Sequence, residues 1–524
     1  MSKRVRVVDR NTLWIRPKDL EGVLLSVPGA VEHGDGCTVP WDLTTCRRVA
    51  ALGETIISTL TRDYSFPGLN IKPLPHQYKV MDFLVRNKRA FCFADMGLGK
   101  TLMSCWAMDF LRSQGYVDKV LIVCPLSITR ESWGNTLEKH FRHLSVGILV
   151  GSGQKRRKML AETNYDVYIT NFDGVKILED ELVAKNFDHI IVDESTAYKN
   201  PSTSRWRAMD NIVNPKDKAR RRPGLWMLTG TPVPQGPMDA FGQAKLLRSP
   251  TLPRTMTLFR AATMYQVAPL IWKARPESAG FVRKCLTPAI YMNKRQVLKD
   301  HPVLLPPIYR QVEMSADQKK AFKALLSEYK HSDGEQQITA VNAGVRLLKL
   351  LQIAGGVVYD DNGENATFDS TPRIREIVSL IEQSVSKTLV YVPFRNVLHS
   401  VADALRKEGI RLEVIYGDVP LKERERIIKE FQEGDSIDVI VAIPNAIQHG
   451  IDAFAASTVV WALPQSKNEV YRQASNRIDR IGQIHPMTIA HIYSHDVEKK
   501  LYEAQQHAES YEKAVLSLYN ELVN

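Results

Sequence analysis

The chain has 524 residues, of which 44% are hydrophobic and 24% are charged. This balance excludes an intrinsically disordered protein, and the length predicts two large domains with smaller additions. Lysine and arginine total 70 against 58 aspartates and glutamates, which gives a formal net charge of +12. The excess favours an anionic partner, nucleic acid first, although solubility alone explains the charge about equally well.

Several protein classes are excluded by what the sequence lacks. The six cysteines form no C-x-x-C pair, so we expect neither a zinc ribbon nor a disulfide framework. The basic start MSKRVRVVDR is followed by no apolar segment of the kind that secretory signals carry. No run of about 20 apolar residues is present that would cross a bilayer. We therefore expect an intracellular, cytoplasmic protein that has no membrane partner.

Short apolar runs that alternate with helical stretches are the main structural signal. In the first half of the chain the predicted strands are residues 90–94, 120–124, 167–170, 189–192 and 225–228. In the second half they are residues 389–391, 412–416, 438–442, 458–462 and 488–492. Continuous apolar strands between helices predict parallel sheets that are covered on both faces. Pro302, Pro306 and Pro307 break helix and sheet alike, so we place the junction of two α/β lobes around them.

The first predicted strand is followed by the glycine-rich sequence DMGLGKT, which opens a helix. A strand, a glycine-rich loop and a helix in this order are the context of a phosphate-binding loop. We expect the backbone of Gly97, Leu98 and Gly99 to approach the phosphates. Lys100 should reach the β- and γ-phosphates of ATP, and the Thr101 hydroxyl should ligate Mg²⁺. The Walker pattern begins with glycine, whereas this chain has alanine at that position.

A second apolar strand, residues 187–192, ends in Asp193 and Glu194. A carboxylate at a strand end beside a phosphate loop can hold Mg²⁺, and its neighbour can polarise the attacking water. We therefore expect Asp193 to be a metal ligand and both carboxylates to be catalytic. A third strand ends in the sequence LTGTP at residues 228–232, whose hydroxyls either sense the γ-phosphate or cap an ordinary turn.

Two arginines follow near the end of the second lobe. The sequence QASNRIDRIGQ places Arg477 and Arg480 three residues apart, which predicts one face of a helix. Arginines offered by one lobe to a nucleotide held by another spread the charge of the transition state. Two arginines on a helix are ordinarily a solvated face, but their place in this ordered set favours a catalytic role.

Taken in order, these motifs resemble the Swi/Snf branch of the superfamily-two helicase-like ATPases, from Leu74 to about Leu501. The sequence LPHQ resembles the entry motif whose glutamine reads adenine, which gives Gln77 that role. DESTAYKN resembles the second motif of the family, LTGTPV the third, and RIGQ is diagnostic of the sixth. The resemblance implies two RecA-like α/β lobes in tandem, with ATP and Mg²⁺ bound in the cleft between them.

The resemblance also implies domain boundaries. Residues 71–300 would form lobe 1, which binds ATP, and residues 301–496 would form lobe 2. Residues 497–524 resemble the closing helix that packs back on the motor. Residues 1–70 faintly resemble the small HepA-related module that reads branched DNA, through the sequence LLSVPG and a later Val-Pro pair. An unrelated structural cap is the alternative for this accessory domain.

Contacts to nucleic acid are implied by the same resemblance. The sequence CPLS, which is followed by Trp133, and the sequence ITNFD resemble the motifs that meet the nucleic-acid backbone, and LVYVPFRN resembles the fourth motif. Basic loops add charge for the phosphates. The residues assigned to DNA are Pro125, Thr170, Asn171, Lys155, Arg156, Arg157 and Arg395. A further basic run, KDKARRR at residues 216–222, is either a solvated loop or another DNA contact.

The chain departs from the family pattern in three motifs. Thr196 replaces the histidine of the second motif, and Asn476 and Asp479 replace aspartate and histidine in the sixth. HGID occupies the position of the fifth motif, where we expect Gly450 and Asp452 to contact the nucleotide. Other superfamily-two members that resemble the chain here use an aspartate that can contact ribose. These departures leave the coupling of the two lobes open.

The resemblance implies a DNA-stimulated ATPase that translocates along duplex or branched DNA with little sequence preference. Strand annealing or fork remodelling comes next among the expected activities, and unwinding comes third. A nearly bare motor suggests a bacterial or phage protein that acts in DNA replication or repair. Two alternatives stay open, an RNA helicase and a non-catalytic DNA-binding scaffold with an inactive nucleotide site.

Overall fold

The structure, a computed structural model, describes residues 5–8, 12–52, 61, 64–67, 73–217, 219–268, 271–298, 300–332, 340–359, 365–447, 452–465 and 467–506. The chain divides into two compact units, Met1–Val297 and Leu298–Asn524. None of the helices within these described ranges is both long enough and apolar enough to cross a membrane.

The first unit opens with a small module that has its own core. Its elements are β1 (Val5–Val7), β2 (Thr12–Ile15), α1 (Leu20–Ser26), β3 (Val31–His33), β4 (Gly36–Pro40) and α2 (Leu43–Ala51). The strands pair antiparallel in the order β1-β2-β4-β3. Alternate side chains of β2 and β4, namely Leu13, Ile15, Cys37 and Val39, are buried and pack with the two helices. One face of the sheet therefore forms the core, as the period of a strand dictates.

The rest of the first unit is built on a seven-stranded sheet with only parallel pairings. Its elements are α3 (Pro75–Arg86), β5 (Arg89–Ala94), α4 (Lys100–Ser113), β6 (Val120–Cys124), α5 (Asn135–His140), β7 (Val146–Leu149), α6 (Gly153–Glu162), β8 (Val167–Asn171), α7 (Phe172–Ile177), α8 (Glu179–Lys185), β9 (His189–Asp193), α9 (Ser204–Val213), β10 (Gly224–Thr229), α10 (Asp239–Leu247), α11 (Met256–Thr263), β11 (Met264–Ala268), β12 (Ile271–Ala274), α12 (Ser278–Cys285), β13 (Ala289–Met292) and α13 (Lys294–Val297). The strand order is β13-β5-β10-β9-β6-β8-β7. A π-helical turn, Thr129–Gly134, precedes α5, and a 3₁₀ turn, Ser195–Tyr198, follows β9.

The five strands predicted in this half of the chain are confirmed as the central strands β5, β6, β8, β9 and β10. Strands β7 and β13 were not predicted, and they are the two edges of the sheet. Their sequences, VGIL and AIYM, are apolar runs of only four residues, and runs this short are ambiguous between strand, helix and loop. The hairpin β11–β12 was also not predicted, because its side chains are mostly exposed.

The second unit contains a six-stranded sheet, again with only parallel pairings. Its elements are β14 (Ile308–Gln311), α14 (Ala316–Ser332), α15 (Ala340–Ala354), β15 (Val357–Tyr359), β16 (Asn365–Thr367), α16 (Thr371–Glu382), β17 (Lys387–Tyr391), α17 (Arg395–Lys407), β18 (Leu412–Ile415), α18 (Leu421–Glu433), β19 (Val439–Ala442), α19 (Pro444–Ile447), β20 (Ala456–Trp461), α20 (Asn468–Ser475), β21 (Thr488–Tyr493) and α21 (Asp496–Gln506). The strand order is β14-β21-β20-β17-β19-β18. Strands β15 and β16 form a separate antiparallel pair.

Both faces of this second sheet are buried. Val390 and Val441 belong to one apolar core, whereas Leu389 and Ile440, the residues before them, belong to another. Because successive residues of a strand point to opposite faces, these are the two sides of the sheet. The predicted fold class, two α/β lobes with parallel sheets, is therefore confirmed, and all five strands predicted for the second half are present.

The last described helix, α21, is joined to the sheet by a buried ion pair. Arg373 of α16 donates from Nη2 to Oε1 of Glu498 at 2.9 Å and to Oγ of Ser494 at 2.9 Å, and from Nη1 to the carbonyl oxygen of Ile492 at 3.2 Å. The side chains of Arg373 and Glu498 are only 3% and 2% exposed. The arginine thus connects α16, β21 and α21. Residues 507–524 of the predicted closing helix lie outside the described residues.

Candidate active site

The sequence motifs of the first unit lie at one edge of its sheet. The glycine-rich loop follows β5, Thr229 ends β10, and Asp193 ends β9, and these three strands are neighbours. Pro125 follows β6 and Asn171 ends β8, which are the next two strands. Because the strands are parallel, their carboxyl ends meet at the edge where α/β proteins bind ligands. The predicted nucleotide motifs therefore lie side by side, with the predicted nucleic-acid motifs next to them.

The loop between β5 and α4 has the backbone of a phosphate-binding loop. Gly97 and Gly99 have φ angles of 84° and 82°, in the left-handed region that favours glycine. A Cβ atom at Gly99 would lie 2.7 Å from Nε2 of Gln77, so a side chain there would also displace this glutamine. Lys100 begins α4 and donates from Nζ to the carbonyl oxygen of Ala94 at 2.8 Å. The amides at the start of a helix, together with a lysine, favour an anion at this point.

Two side chains of α3 contact the same loop. Gln77 accepts the backbone N–H of Leu74 at 2.9 Å and donates from Nε2 to the carbonyl oxygen of Leu98 at 3.4 Å. Nε2 of His76 lies 3.1 Å from the same oxygen. Burial lowers the pKa of His76, which favours the neutral ring with an N–H to donate. The sequence predicted Gln77 at the nucleotide, but it did not reveal that His76 supports the loop.

Asp95 anchors the beginning of the loop to the last strand of the unit. Its backbone N–H donates to the carbonyl oxygen of Met292 at 3.0 Å, and its Oδ2 accepts the backbone N–H of Lys294 at 2.8 Å. Met292 ends β13, which pairs with β5. The loop is thus held at both ends, by α3 and by the segment that leads out of the first unit.

Asp193 is a buried carboxylate with two hydrogen-bond donors. Nε1 of Trp133 donates to Oδ2 at 3.0 Å, and the backbone N–H of Glu194 donates to Oδ1 at 3.0 Å. Burial raises the pKa of Asp193, whereas Lys100 and the two hydrogen bonds oppose this rise. A buried carboxylate gains most from a nearby cation. Trp133, which the sequence placed beside a nucleic-acid motif, contacts the predicted metal ligand instead.

Glu194 is held in an unusual backbone conformation beside Thr229. Its φ and ψ angles are 51° and 58°, in the left-handed region that non-glycine residues seldom occupy. Oγ1 of Thr229 donates to Oε2 of Glu194 at 3.2 Å and accepts the backbone N–H of Thr231 at 3.1 Å. The hydroxyl turn that the sequence left open between two roles is therefore bonded to the catalytic candidate Glu194.

A second contact between the same two motifs was not predicted. Oγ of Ser195 donates to Oε1 of Gln243 at 2.7 Å, and Nε2 of Gln243 donates to the carbonyl oxygens of Pro232 at 2.7 Å and Asp239 at 2.9 Å. The Gln243 side chain is fully buried. The glutamine lies in the middle of α10, within the largely apolar sequence FGQAKLL. A polar residue in such a stretch is the sequence feature that could have predicted a buried hydrogen-bonded side chain.

The residues present fit Mg²⁺ that is bound together with a nucleotide. In nucleotide sites Mg²⁺ is usually held by one or two carboxylates and by phosphate oxygens, not by an all-protein cage. Asp193 supplies such a carboxylate, and Thr101 supplies a hydroxyl that lies 3.4 Å from Oγ of Ser132. Within the described ranges, no group of three or more His, Cys, Asp or Glu side chains could hold a metal by itself. The donor set therefore suits a shared magnesium site.

The predicted nucleic-acid residues at this edge are mostly buried. Pro125, Thr170 and Asn171 are covered, and Oγ1 of Thr170 donates to the carbonyl oxygen of Leu149 at 3.4 Å. The residues directly after Pro125 are exposed, Leu126 to 57% and Ser127 as well. The side chains of these motif residues are therefore inside the protein. The exposed surface at this edge is formed by the residues that follow them and by the backbone.

The basic run at the start of α6 divides into inward and outward residues. Arg156 is only 7% exposed, and it donates from Nη1 to Oδ1 of Asn171 at 2.8 Å and from Nε to the carbonyl oxygen of Gly151 at 2.8 Å. Lys155 and Arg157 are exposed, and Nε of Arg157 donates to Glu181 at 2.6 Å. The prediction that Arg156 contacts DNA is corrected here, because its guanidinium supports the Asn171 turn inside the unit.

In the second unit, the fifth and sixth motifs are bonded to each other. Nε of Arg480 lies 3.2 Å from Oδ1 of Asp452, an ion pair in which the aspartate is 60% exposed and the arginine is largely buried. The backbone N–H of Ala453 donates to the carbonyl oxygen of Arg477 at 3.0 Å. Gly450 lies outside the described residues, so its contact with the nucleotide stays a prediction.

The prediction that Arg477 and Arg480 share one face of a helix is wrong. Helix α20 ends at Ser475, and both arginines lie in the turns that follow. The hydrogen bond from Ala453 and the ion pair with Asp452 draw this segment out of the helical path. Both arginines lie close to the fifth motif, and it is the loop after α20, not a helical face, that places them there.

Asp479, one of the departures from the family pattern, has a partner outside its motif. Nε2 of His301 lies 2.6 Å from Oδ1 of Asp479, and both side chains are largely buried. His301 belongs to the segment that enters the second unit. The family histidine is replaced by an aspartate, and the chain supplies a histidine from another segment. Thr196, the departure in the second motif, is buried in the 3₁₀ turn after β9.

Arg395 lies at the carboxyl end of β17, where it begins α17. Nη2 of Arg395 lies 2.7 Å from Oδ2 of Asp418, and its guanidinium lies over the ring of Tyr416 at 5.0 Å from the centroid. About half of the Arg395 side chain is exposed. The arginine is therefore accessible at the edge of the second sheet that corresponds to the motif edge of the first.

Comparison with protein families matches two regions of the chain. The SNF2-related domain matches residues 76–356, and the helicase conserved C-terminal domain matches residues 372–482. Among solved structures, the Sulfolobus solfataricus SWI2/SNF2 ATPase core in complex with dsDNA aligns with 84% of this chain and 92% of that chain. Its sequence identity is 20% and the TM-score is 0.42.

Curated proteins show the same relationship. Putative protein p41 of Acyrthosiphon pisum secondary endosymbiont phage 1 is 28% identical over 81% of this chain and 93% of its own length. The SWI/SNF-related matrix-associated actin-dependent regulator of chromatin subfamily A-like protein 1 of Drosophila melanogaster is 24% identical over 82% of this chain. The human DNA annealing helicase and endonuclease ZRANB3 is 26% identical over 82% of this chain. The chain spans only 54% of the fly protein and 39% of the human one.

The SNF2-related match alone covers more than half of the chain, and it contains the phosphate loop, Asp193, Glu194 and Thr229. The helicase C-terminal match contains Asp452, Arg477 and Arg480. The chain therefore belongs to the SNF2-related family of helicase-like ATPases.

Proposed function

We propose that this protein is a DNA-stimulated ATPase that translocates along DNA. The observation that carries the proposal is one sheet edge that combines a phosphate loop, the buried Asp193 bonded by Trp133, and Glu194 bonded by Thr229. Membership of the SNF2-related family supports an ATP-hydrolysing, helicase-like enzyme. Residues 71–300 and 301–496 are assigned as its two lobes, with residues 1–70 as an accessory domain and residues 497–524 as a closing helix.

The nucleotide is assigned to the loop between β5 and α4. Gln77 reads adenine, the loop amides bind the phosphates, and Lys100 contacts the β- and γ-phosphates. Thr101 and Asp193 hold Mg²⁺, which when bound neutralises charge on the phosphate oxygens. The buried position of Asp193 makes this carboxylate sensitive to a cation, because its charge has little solvent around it.

In the hydrolysis step, water attacks the γ-phosphate and the products are ADP and inorganic phosphate. Glu194 orients and polarises this water. Thr229 fixes the Glu194 carboxylate through Oε2, so loss of the γ-phosphate can be relayed into the hydroxyl turn. Arg477 and Arg480 take the role of arginine fingers, and Gly450 and Asp452 contact the nucleotide.

DNA is assigned to the carboxyl edges of the strands next to the nucleotide motifs. The turns at Pro125, Thr170 and Asn171 present backbone and exposed neighbours to the phosphates, and Lys155, Arg157 and Arg395 add charge. Arg156 is left out of this set because it is buried. Binding through phosphates predicts little sequence preference and a steep fall in affinity with salt.

The names of two relatives suggest where such a motor works. One is a DNA annealing helicase, which favours annealing or fork remodelling as the biological task, and another is a phage protein, which favours a phage or bacterial origin. Both points are extensions of the proposed motor activity. Replication and repair of branched DNA are the processes that fit them.

The proposal is tested by ATPase rate and by translocation. ATP turnover is measured with linear duplex, forked duplex, single-stranded DNA and RNA, and displacement of a third strand from a triplex reports movement along duplex. We expect stimulation by duplex DNA and ATP-dependent displacement. Stimulation by RNA without stimulation by DNA would assign an RNA helicase instead. DNA binding without any ATP turnover would assign a scaffold.

A further inference from the structure

A cluster of basic residues lies at the edge of the first sheet that is opposite to the motifs. Lys88 directly precedes β5, and Arg221 and Arg222 lie just before β10, so these residues are at the amino ends of neighbouring strands. Arg248 directly follows α10. Arg47 comes from α2 of the small module. We refer to Arg47, Lys88, Arg89, Arg221, Arg222 and Arg248 as the amino-edge cluster.

Hydrogen bonds fix the segments of this cluster against one another. Nζ of Lys88 donates to the carbonyl oxygen of Arg222 at 2.9 Å. Nη2 of Arg47 donates to the carbonyl oxygen of Val85 at 2.9 Å, which places the small module at the end of α3. Arg89 is used inside the unit, where Nη2 donates to the carbonyl oxygen of Leu246 at 2.6 Å. The cluster is therefore a defined surface built from four segments of the unit, namely α2, the start of β5, the loop before β10 and the end of α10.

The cations of this surface act on one another with little compensation. Burial, and after it Arg221, Arg47 and Arg89, lowers the pKa of Lys88. Burial, with Arg222 and Arg248, lowers the pKa of Arg89 to about 10. Neighbouring cations of this kind give the surface a positive potential, which attracts anionic partners.

Two carboxylates oppose these shifts, and each also accepts hydrogen bonds from neutral N–H groups. Asp188 opposes the effect on Lys88, but its Oδ2 accepts the backbone N–H groups of Asp118 and Lys119, both at 3.0 Å. Asp210 opposes the effect on Arg89, and its Oδ1 accepts from Nδ2 of Asn214 at 2.8 Å. Oδ1 of Asp217 accepts the backbone N–H of Ala219 at 2.9 Å.

Three guanidinium groups of the cluster face solvent. Arg221, Arg222 and Arg248 are exposed, and none of their guanidinium groups has a hydrogen bond or ion pair with the residues that the structure describes. Exposed arginines are well suited to phosphate, because the planar guanidinium can donate two parallel hydrogen bonds to its oxygens. A solvated loop would show the same exposure, but it would not combine exposed arginines from two separate segments.

The position of the cluster decides which phosphates it can reach. Strand β5 runs from Arg89 at the cluster to Ala94 at the phosphate loop, and a strand of this length covers about 17 Å. A straight duplex that lies along the motif edge therefore does not also lie on the amino-edge cluster. A second segment of nucleic acid is needed, such as another arm of a branched molecule.

From these observations we infer that the amino-edge cluster binds the phosphate backbone of a second duplex arm in branched DNA. The inference rests on the proposed function, since it assumes that a first duplex occupies the motif edge. It gives the basic run at residues 216–222 a role away from the motifs. It also gives a role to the small module, which contributes Arg47 to this surface of the first lobe.

The test compares a three-way DNA junction with a linear duplex of equal length. Arg221→Glu/Arg222→Glu reverses two exposed charges of the cluster, and Lys320→Glu/Lys323→Glu reverses two exposed charges on α14 as the matched control. Binding is measured by fluorescence anisotropy over a series of salt concentrations, and ATP turnover is measured with each DNA. Arg248→Glu serves as an independent single variant from another segment.

We expect the cluster variant to lose affinity for the junction by about tenfold or more. The slope of log affinity against log salt concentration should become less negative by about 2, because each lost phosphate contact changes this slope by about 0.9. Affinity for linear duplex and its stimulation of ATP turnover should be unchanged, as they should be in the control. Arg248→Glu should change the same junction measurement in the same direction.

Junction binding equal to that of the wild type in both cluster variants would overturn the inference, even if duplex still stimulates ATP turnover. Failure of every DNA to stimulate the wild type would instead refute the proposed function. A poly-glutamate peptide that binds the wild type but not the cluster variant, with junction binding intact, would reassign the surface to an acidic protein.

Discussion

Trp133 donates its indole N–H to Oδ2 of Asp193 across 3.0 Å, and both side chains are buried at the carboxyl edge of the first sheet. A hydrogen bond to an ionised group favours the charged form, so this contact opposes the rise in the pKa of Asp193 that burial causes. Only the ionised carboxylate can bind Mg²⁺ well. The indole therefore helps to keep the proposed metal ligand available.

Replacement of Trp133 by phenylalanine should weaken the binding of Mg²⁺ and so lower ATP turnover. Without the indole N–H the pKa of Asp193 rises further, so ATP turnover should fall at a higher pH than in the wild type as the solution is acidified. At neutral pH we expect kcat/KM for magnesium–ATP to fall by about tenfold, the effect of one hydrogen bond to a charged group. Turnover is measured against Mg²⁺ concentration and against pH.

Trp106 provides the matched control for this change. It is fully buried in α4, and its Nε1 has no hydrogen-bond partner among the described residues. Trp106→Phe removes the same atoms from the core without touching Asp193. If both variants shift the acidic limb of the pH profile equally, packing rather than the hydrogen bond is responsible.

Thr229 should matter through the orientation of Glu194. Thr229→Val keeps the shape of the side chain but removes the hydroxyl that donates to Oε2, so we expect kcat to fall by about tenfold with little change in KM. Glu194→Gln should lower kcat by a hundredfold or more, of the order of a lost general base. Thr229→Ser should retain most of the activity. An unchanged kcat in Thr229→Val would show that the hydroxyl turn acts independently of Glu194.

Exchanging the side chains of His301 and Asp479 with each other should preserve both stability and activity. Either single change to alanine removes this contact from a largely buried polar group, so each should lower the free energy of unfolding by about 1–3 kcal/mol. Because Asp479 directly precedes Arg480, each should also lower kcat. The exchange His301→Asp/Asp479→His re-forms the contact and should recover both measurements. Recovery of stability without recovery of kcat would limit the pair to a structural role.

The ion pair between Arg373 and Glu498 should stabilise the second unit strongly. Glu498→Ala leaves the buried guanidinium without a counter-charge, so the free energy of unfolding should fall by about 3–5 kcal/mol. Urea denaturation of the whole chain measures the effect. Glu423, which pairs with Arg426 on the surface, is the control, and Glu423→Ala should leave the denaturation midpoint unchanged. Equal effects in the two variants would contradict the assigned role of burial.

The parts of the site that the sequence predicted are those determined by local order. Strand, glycine loop and helix are contiguous, so the phosphate loop and its Lys100 could be placed from spacing alone. The same holds for Asp193 and Glu194 after β9. Contacts between distant segments could not be predicted in this way, since Trp133 and Gln243 reach the second motif only through the folded sheet.

The wrong predictions for Arg156 and for Arg477 and Arg480 both come from tertiary contacts that a local pattern does not show. A basic run predicts a charged surface, but it does not say which residue points inward, and Arg156 is used by Asn171. Spacing of three predicts one helical face for Arg477 and Arg480, but the helix ends before them because Ala453 and Asp452 bond to this segment. Helical periodicity carries no information about such tertiary contacts.

Whether the chain is a DNA-stimulated ATPase is decided by the steady-state rate of ATP hydrolysis in the wild type and in Lys100→Ala, each with and without linear duplex DNA. We expect duplex DNA to raise the wild-type rate by about tenfold or more, and Lys100→Ala to show no hydrolysis above background although it still binds DNA. A wild-type rate that does not respond to duplex DNA, or a Lys100→Ala rate that matches the wild type, would contradict the proposed function.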